Sequence, residues 1–169
     1  MVIRKECPDD FQKITVLVKA AFDSAEHADG NEQDLVNALR LGDAYIPELA
    51  LVAEIAGEIA GHIMFTRLKI GESVQLALAP LSVLPAVQRQ GIGTALVRAG
   101  HEKARALGYA YSVVLGSETY YSRFGYLPAK AYGIFPPFDV PSENFMACKL
   151  VDRACAVSGV VQYAKEFGI

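Results

Sequence analysis

The sequence predicts one mixed α/β domain, with a mostly antiparallel central sheet and flanking helices. Three observations predict it. First, 169 residues with 52% hydrophobic and 21% charged content suit one core of ordinary size. Second, apolar residues recur every three to four positions up to Gly42 and closer to every two after it, so helices come early and strands follow. Third, a helical pattern over 91–107 stands between two extended runs, as a β-α-β crossover requires.

Residues 2–5 read as a short strand. Pro8 suits a first helical turn, where its missing N–H is no loss, and Asp9 and Asp10 suit the positive end of a helix dipole. Phe11, Ile14, Val18 and Phe22 then make one apolar helical face. Residues 23–31 are polar and loop-like. A second helix is expected over 32–41, carried by Leu35, Val36 and Leu39 and stopped by Gly42. Residues 49–54 and 59–68 read as strands joined by the turn Ala56-Gly57-Glu58, an antiparallel hairpin. Residues 74–84 form a third extended run. Pro80 interrupts it, which implies an edge, a bulge or a splay, because proline removes a ladder donor. The helix over 91–107 closes at Gly108. A strand over 110–115, a short helix over 118–124 ending at Gly125, and strand-like runs at 144–150 and 160–167 complete the chain. No repeat or linker divides it. Residues 1–169 are read as one domain, with 127–169 as its C-terminal extension.

Sixteen basic and nineteen acidic side chains give a formal charge of −3. That argues against a globally basic nucleic-acid binder. The uncharged stretch 73–88 holds Pro80 and Pro85 and is a poor membrane span, and the N-terminus lacks the apolar run of a signal peptide. Cys7, Cys148 and Cys155 are odd in number and have no metal-knuckle spacing, so they read as reduced thiols of a cytoplasmic protein. His27, His62 and His101 stand singly, and no metal site is expected.

The sharpest local feature is Gln88-Arg89-Gln90-Gly91-Ile92-Gly93-Thr94. An extended run leads into it and an amphipathic helix leaves it. Gly91 and Gly93 let a ligand approach the main chain, and the N–H groups there coincide with the unpaired donors of a helix start. Together these favour a phosphate or diphosphate, with Arg89 adding charge at the rim. A nucleoside-triphosphate loop is excluded because no Gly-Lys-Ser/Thr string exists, and a dinucleotide fingerprint would need glycine where Leu96 stands. Gly-x-Gly by itself is as readily a tight helix cap.

The string resembles the cofactor motif of the GNAT superfamily of N-acetyltransferases, Gln/Arg-x-x-Gly-x-Gly/Ala, through Gln88, Gly91 and Gly93. The resemblance implies a GNAT-like fold whose splayed strand admits acetyl-CoA. In that family the loop and helix start hold the pyrophosphate through main-chain N–H groups, which here are those of residues such as Gln88, Arg89, Gln90, Gly91, Gly93 and Thr94. Leu81 and Val83 would run along the pantetheine arm, and the Val83 N–H would serve as oxyanion donor to the thioester. Lys103, Arg98 and Arg105 could meet the 3′-phosphate, although a solvated helix face explains them as well.

A second string, Tyr120-Tyr121-Ser122-Arg123-Phe124-Gly125-Tyr126, resembles the family's aromatic-Tyr-x-x-x-Gly-Phe/Tyr motif. By that resemblance Tyr121 is the general acid that protonates the leaving thiolate, while Tyr120 and Tyr126 pack. The strings Leu78-Ala79-Pro80-Leu81-Ser82-Val83, Val114-Leu115-Gly116 and Phe135-Pro136-Pro137-Phe138 point to a narrower bacterial group labelled YhbS.

The general base is not legible. Glu32, Glu54, His62 and Glu118 are candidates by chemistry alone, and His62 also reads as a satisfied structural histidine. The implied activity is acetyl transfer from acetyl-CoA to a primary amine through a tetrahedral intermediate. A non-catalytic acyl-CoA-binding or sensing module on the same fold stays open beside it, as does a homodimer. A nucleic-acid or protein interaction module is the weakest reading at a charge of −3.

Overall fold

The computed structural model describes residues 1–26 and 28–169. His27, within the expected loop over 23–31, lies outside the described residues. Chain order is β1 (Val2–Lys5), α1 (Phe11–Phe22), α2 (Glu32–Leu41), β2 (Tyr45–Ile55), β3 (Glu58–Ile70), β4 (Ser73–Val83), α3 (Ile92–Ala106), β5 (Tyr111–Leu115), α4 (Glu118–Tyr121), β6 (Tyr126–Pro128), β7 (Ile134–Phe135), β8 (Phe145–Lys149) and β9 (Gly159–Gln162). The expected mixed sheet is present. Its main path is β1-β2-β3-β4-β5-β8-β6, antiparallel throughout except for the parallel pair β4–β5, which the α3 crossover joins.

Several boundaries differ from the sequence expectation, each for a physical reason. The first helix begins with a single 3-10 turn at Pro8–Asp10, because the Asp10 carboxylate accepts from the Cys7 N–H and tightens the entry. The final run is a strand only over Gly159–Gln162. It then turns through Lys165–Phe167, where Phe167 leaves the sheet to pack under α1 and α2 with Phe22 and Leu35. Strands β6 and β7 have three and two residues, too short for any period to register.

Alternation along β3 and β4 divides the core. Gly61, Ile63, Phe65, Leu76, Leu78, Leu81 and Val83 face α3, whereas Met64 and Val52 face α1 and α2. The C-terminal segment covers the rest of that second face, where Val161, Ile134 and Phe145 pack on Leu68, Ile70 and Ala77. Among the described residues no helix is long and apolar enough to cross a membrane.

Two features open the sheet. Between Ile63 and Phe65 the register slips, so that three steps of β4 oppose two of β3 around Pro80. Beyond Leu76↔Ser112 and Ala77↔Val113 the parallel pair stops, though β4 runs on to Val83 and β5 to Leu115. Pro80 therefore sits in a bulge at the root of a splay, two of the three alternatives that a proline in this run allowed.

Candidate active site

A cleft of about 660 Å³ lies where β4 and β5 part. Leu81 and Val83 of β4, Gln88, Arg89 and Gly91 of the loop, Ile92, Gly93 and Thr94 of α3, and Tyr120, Tyr121 and Arg123 line it. The structure thus brings the two sequence motifs to opposite walls of one cavity. Of the residues singled out in the sequence, Gln90 is the one that does not line it.

The loop wall is built from main chain. Gly91 precedes α3 in the left-handed region at φ 86°, a conformation that favours glycine. Arg89 shares that region at φ 63°, held there although it has a side chain. The first intrahelical bond of α3 runs from the Ala95 N–H to the Gly91 carbonyl. The N–H groups of Ile92, Gly93 and Thr94 therefore have no helical partner, and no side chain caps them. They stand at the positive end of a fifteen-residue helix, on the cleft.

Strand β4 supplies two more donors. The Leu84 N–H bonds to the Ala60 carbonyl at 2.9 Å, so Val83, opposite Gly61, is a non-hydrogen-bonded position. Its N–H and carbonyl turn away from β3 toward the gap, and by the same alternation so do those of Leu81. The Gln88 side-chain amide donates to the Val83 carbonyl at 3.2 Å, which ties the loop to the strand and leaves the Val83 N–H free.

The opposite wall is aromatic. Ser117 starts α4 by accepting from the Tyr120 N–H. The Tyr121 ring lies edge-on to Tyr120 and Tyr126, with ring centroids 5.0 and 5.6 Å apart. Gly116 makes room for it, since a Cβ there would lie 2.5 Å from the ring. The Tyr121 hydroxyl has no protein hydrogen-bond partner among the described residues. Burial, and secondarily Tyr120, push it well above the ordinary tyrosine value, so it keeps its proton at neutral pH. Tyr126 packs as expected. It is fully buried, its hydroxyl meeting Ser112 Oγ at 2.8 Å and His101 Nε2 at 3.0 Å.

Tyr120 does more than pack. Its ring meets Tyr121 and Phe124, but its hydroxyl reaches across to Gly93, where any Cβ would collide with it. Gly93 is therefore required for close approach at the helix start. Arg123 was not singled out in the sequence. Its guanidinium lies 4.5 Å from the centre of the Tyr120 ring and its Nε donates to the Tyr120 carbonyl at 3.2 Å. The signal was its position three residues after Tyr120, one helical turn on. Arg105 is not simply a solvated side chain, because its Nε donates to the Leu150 carbonyl at 2.6 Å.

The candidate bases are scattered. Glu54 pairs with Arg4 at 3.0 Å, Glu118 is exposed at the start of α4, and Glu32 accepts from the Asp29 N–H. His62 is fully buried and its Nε2 lies 2.9 Å from Glu6 Oε2. Burial alone would raise the Glu6 carboxyl. Hydrogen bonds from His62, Arg40 and Tyr45 outweigh it and hold the group at about 2. Only one ring nitrogen of His62 is satisfied, so its reading as a fully satisfied structural histidine holds in part.

Residues 47–128 match the family described as "Acetyltransferase (GNAT) domain". An uncharacterized N-acetyltransferase of Escherichia coli, YjhQ, is 36% identical over 74% of this chain and 71% of its own length. A second from the same organism, YhbS, is 31% identical over 99% of this chain and 98% of its own. The crystal structure of Escherichia coli YhbS in complex with CoA superposes with a TM-score of 0.90, covering 99% of this chain and 92% of that one. A GNAT family acetyltransferase from Brucella melitensis in complex with acetyl-CoA, 33% identical, gives 0.81 over 98% and 97%. Sequence motifs, sheet topology and relatives of matching length agree, and the chain belongs to the GNAT family of acetyltransferases.

Proposed function

We propose that the protein transfers an acetyl group from acetyl-CoA to a primary amine by direct attack. The observation that carries this reading is a single cleft with the open start of α3 on one wall and the unpartnered Tyr121 hydroxyl on the other. The donor set fits the acyl donor. The free N–H groups of Ile92, Gly93 and Thr94, with Arg89 beside them, suit a pyrophosphate, and the cleft-facing edge of Leu81 and Val83 suits an amide-rich arm. The cavity volume is in the range of a small-molecule site, about 300–1,000 Å³. That relatives of 31% and 33% identity were crystallised with CoA and acetyl-CoA supports the same choice.

In this reading Val83 donates its N–H to the thioester oxygen, where negative charge grows as the amine attacks. Tyr121 gives its proton to the sulfur as the tetrahedral intermediate collapses. Its burial suits the role, because a hydroxyl that stays protonated at neutral pH is ready to donate. Gln88 holds the Val83 carbonyl and so fixes the strand edge that presents the N–H.

The test is release of free thiol from acetyl-CoA in the presence of a panel of amines. Tyr121→Phe should lower kcat about 10²–10⁴-fold, the usual range for a positioned acid, with cofactor Kd nearly unchanged. Unchanged turnover in the variant removes the acid role. Tight binding by the wild-type protein without transfer to any amine would instead identify an acyl-CoA-binding module.

A further inference from the structure

Among the described residues four buried side-chain polar atoms lack a hydrogen-bond partner: Glu32 Oε2, His62 Nδ1, Thr66 Oγ1 and Ser82 Oγ. Three belong to the β3–β4 ladder. His62, Thr66 and Ser82 all stand on its face opposite α3, the side that α1 covers. His62 and Ser82 are direct partners in the register, which sets their Cβ atoms about 5 Å apart.

The other side of His62 is fully engaged. Glu6 accepts from Arg40 Nε at 2.8 Å and Nη2 at 3.1 Å, from the Tyr45 hydroxyl at 2.8 Å, and meets His62 Nε2 at 2.9 Å. An ionised carboxylate can only accept, so the ring hydrogen of His62 faces Glu6 and Nδ1 is left as a bare lone pair. Glu6, Arg40 and Tyr45 already lock α2 to the sheet. That lock makes no use of His62 Nδ1 or Ser82 Oγ, two buried groups whose unmet hydrogen bonds need another explanation.

We propose that Ser82, His62 and Glu6 form a proton relay that takes a proton from the acceptor amine. Ser82 lies between Leu81 and Val83, whose main-chain edge walls the cleft. The gap beyond Ala77 opens the sheet toward the face on which Ser82 stands. An acyl donor at the start of α3 fills the other face, so this is the side left for a second substrate. The inference rests on the acetyl-transfer reading.

The step balances. One ammonium proton passes to Ser82 Oγ as the hydroxyl proton passes to His62 Nδ1, by rotation of the hydroxyl or through one bridging water. The imidazolium so formed stands against the Glu6 carboxylate and later returns its proton to solvent. The nitrogen lone pair forms the C–N bond, the C–S bond breaks, and a second nitrogen proton ends on the sulfur by way of Tyr121. Ser82 meets the acceptor, and His62 and Glu6 are positioning residues behind it. The charged and titratable groups facing His62 are Glu6 after β1, Arg40 of α2 and Tyr45 of β2. The buried residues of α1 are the apolar Ile14, Leu17 and Val18.

Two measurements test this on the full chain. In the first, kcat/KM for an accepted amine is followed against pH. Ser82→Ala, which removes an unpartnered hydroxyl and keeps the fold, should lower kcat about 10–100-fold near neutrality, move the profile to higher pH, and leave cofactor Kd unchanged. A profile that superposes on wild type overturns the relay. In the second, ¹⁵N NMR of the His62 imidazole is recorded without substrates. The proton should sit on Nε2, and the Nδ1 resonance should move in Ser82→Ala. A proton on Nδ1, or an Nδ1 resonance indifferent to Ser82, overturns the relay whether or not any amine is a substrate. Absence of transfer by the wild-type protein would instead count against the acetyl-transfer reading.

Discussion

The two faces of the sheet solve opposite problems. On the α3 face, residues 81–94 and 116–123 build an open cleft from main-chain donors and aromatic edges. On the α1–α2 face, Glu6, Arg40, Tyr45 and His62 come from four separate elements and close a buried network from side chains. The first leaves N–H groups free and the second buries charge and pairs it. A ligand site must hold donors in reserve, whereas a structural lock must leave none. The comparison also locates the exception, since His62 Nδ1 and Ser82 Oγ break the rule on the closed face.

Breaking the closed face should have the largest effect. Arg40 and Glu6 side chains are 7% and 0% exposed, and the pair meets at 2.8 Å. Glu6→Gln leaves the guanidinium buried without its counter-charge, a change that typically costs about 3–5 kcal/mol. Urea unfolding at pH 7 should show a loss of that order with little change in m-value. A loss below about 1 kcal/mol would mean that the network is worth no more than a surface pair. The wild-type Glu6 carboxyl is held near 2 against an ordinary 4.5. Its contribution is therefore complete above about pH 4.5 and is lost as the pH falls toward 2.

Filling the open face should leave the fold and remove the ligand. Gly93→Val places branched carbons where the Tyr120 hydroxyl already lies and where donors meet the cleft. Cofactor affinity, by calorimetry, should fall about 100-fold or more, equivalent to about 2.7 kcal/mol. Valine is tolerated in a helix at a cost of under 1 kcal/mol, so unfolding should shift much less than binding. Equal losses in both would mean that Gly93 serves packing alone.

The same contrast decides what could be read without coordinates. The cleft was legible because its main-chain donors sit in one contiguous string, with strand before, helix after and glycine at fixed offsets. Tyr121 was legible through its offset from Gly125. The two helices and the hairpin followed from apolar period, and α2 begins and ends where that period does. The Glu6 network was not legible, because residues 6, 40, 45 and 62 share no spacing and meet only through the fold. Arg123 was passed over because a cation on a short polar helix reads as a solvated side chain until its stacking on Tyr120 is seen. The short strands β6 and β7 carry too few residues for a period, and the end of β9 is set by Phe167 turning away to pack rather than by any local stop signal.

Beneath the open face His101 offers a milder test. Burial, and secondarily Arg105, depress its imidazole from 6.5 to about 4. The unfolded chain then binds a proton that the folded chain refuses, so stability falls as pH drops from about 6.5 toward 4. Between pH 7 and pH 5 the loss should be of order 1–2 kcal/mol. Glu6 acts below this window, so the two faces loosen in separate pH ranges. Urea unfolding at pH 7 and 5 for wild type and His101→Gln should show the difference in wild type alone. An equal difference in both proteins assigns it to another group.

The smallest effect should come from Arg123, at the rim of the cleft. Its Nε is engaged by the Tyr120 carbonyl and its plane by the Tyr120 ring, so the side chain is already ordered. Its remaining N–H groups meet no carboxylate among the described residues, and the residue lines the cavity shared with Arg89. A guanidinium held this way suits a phosphate oxygen, and one charge-assisted contact near solvent is worth roughly a factor of ten. Arg123→Gln should therefore weaken cofactor binding about 3–10-fold at low salt, and the difference from wild type should shrink as salt is raised. A loss that is independent of salt would instead point to disturbed stacking of Tyr120, and Arg123→Lys separates the two cases. Lysine keeps the charge but loses the planar fork and the Nε bond, so a variant that recovers most of the affinity makes charge the operative property, and one as weak as Arg123→Gln makes it the stacked geometry.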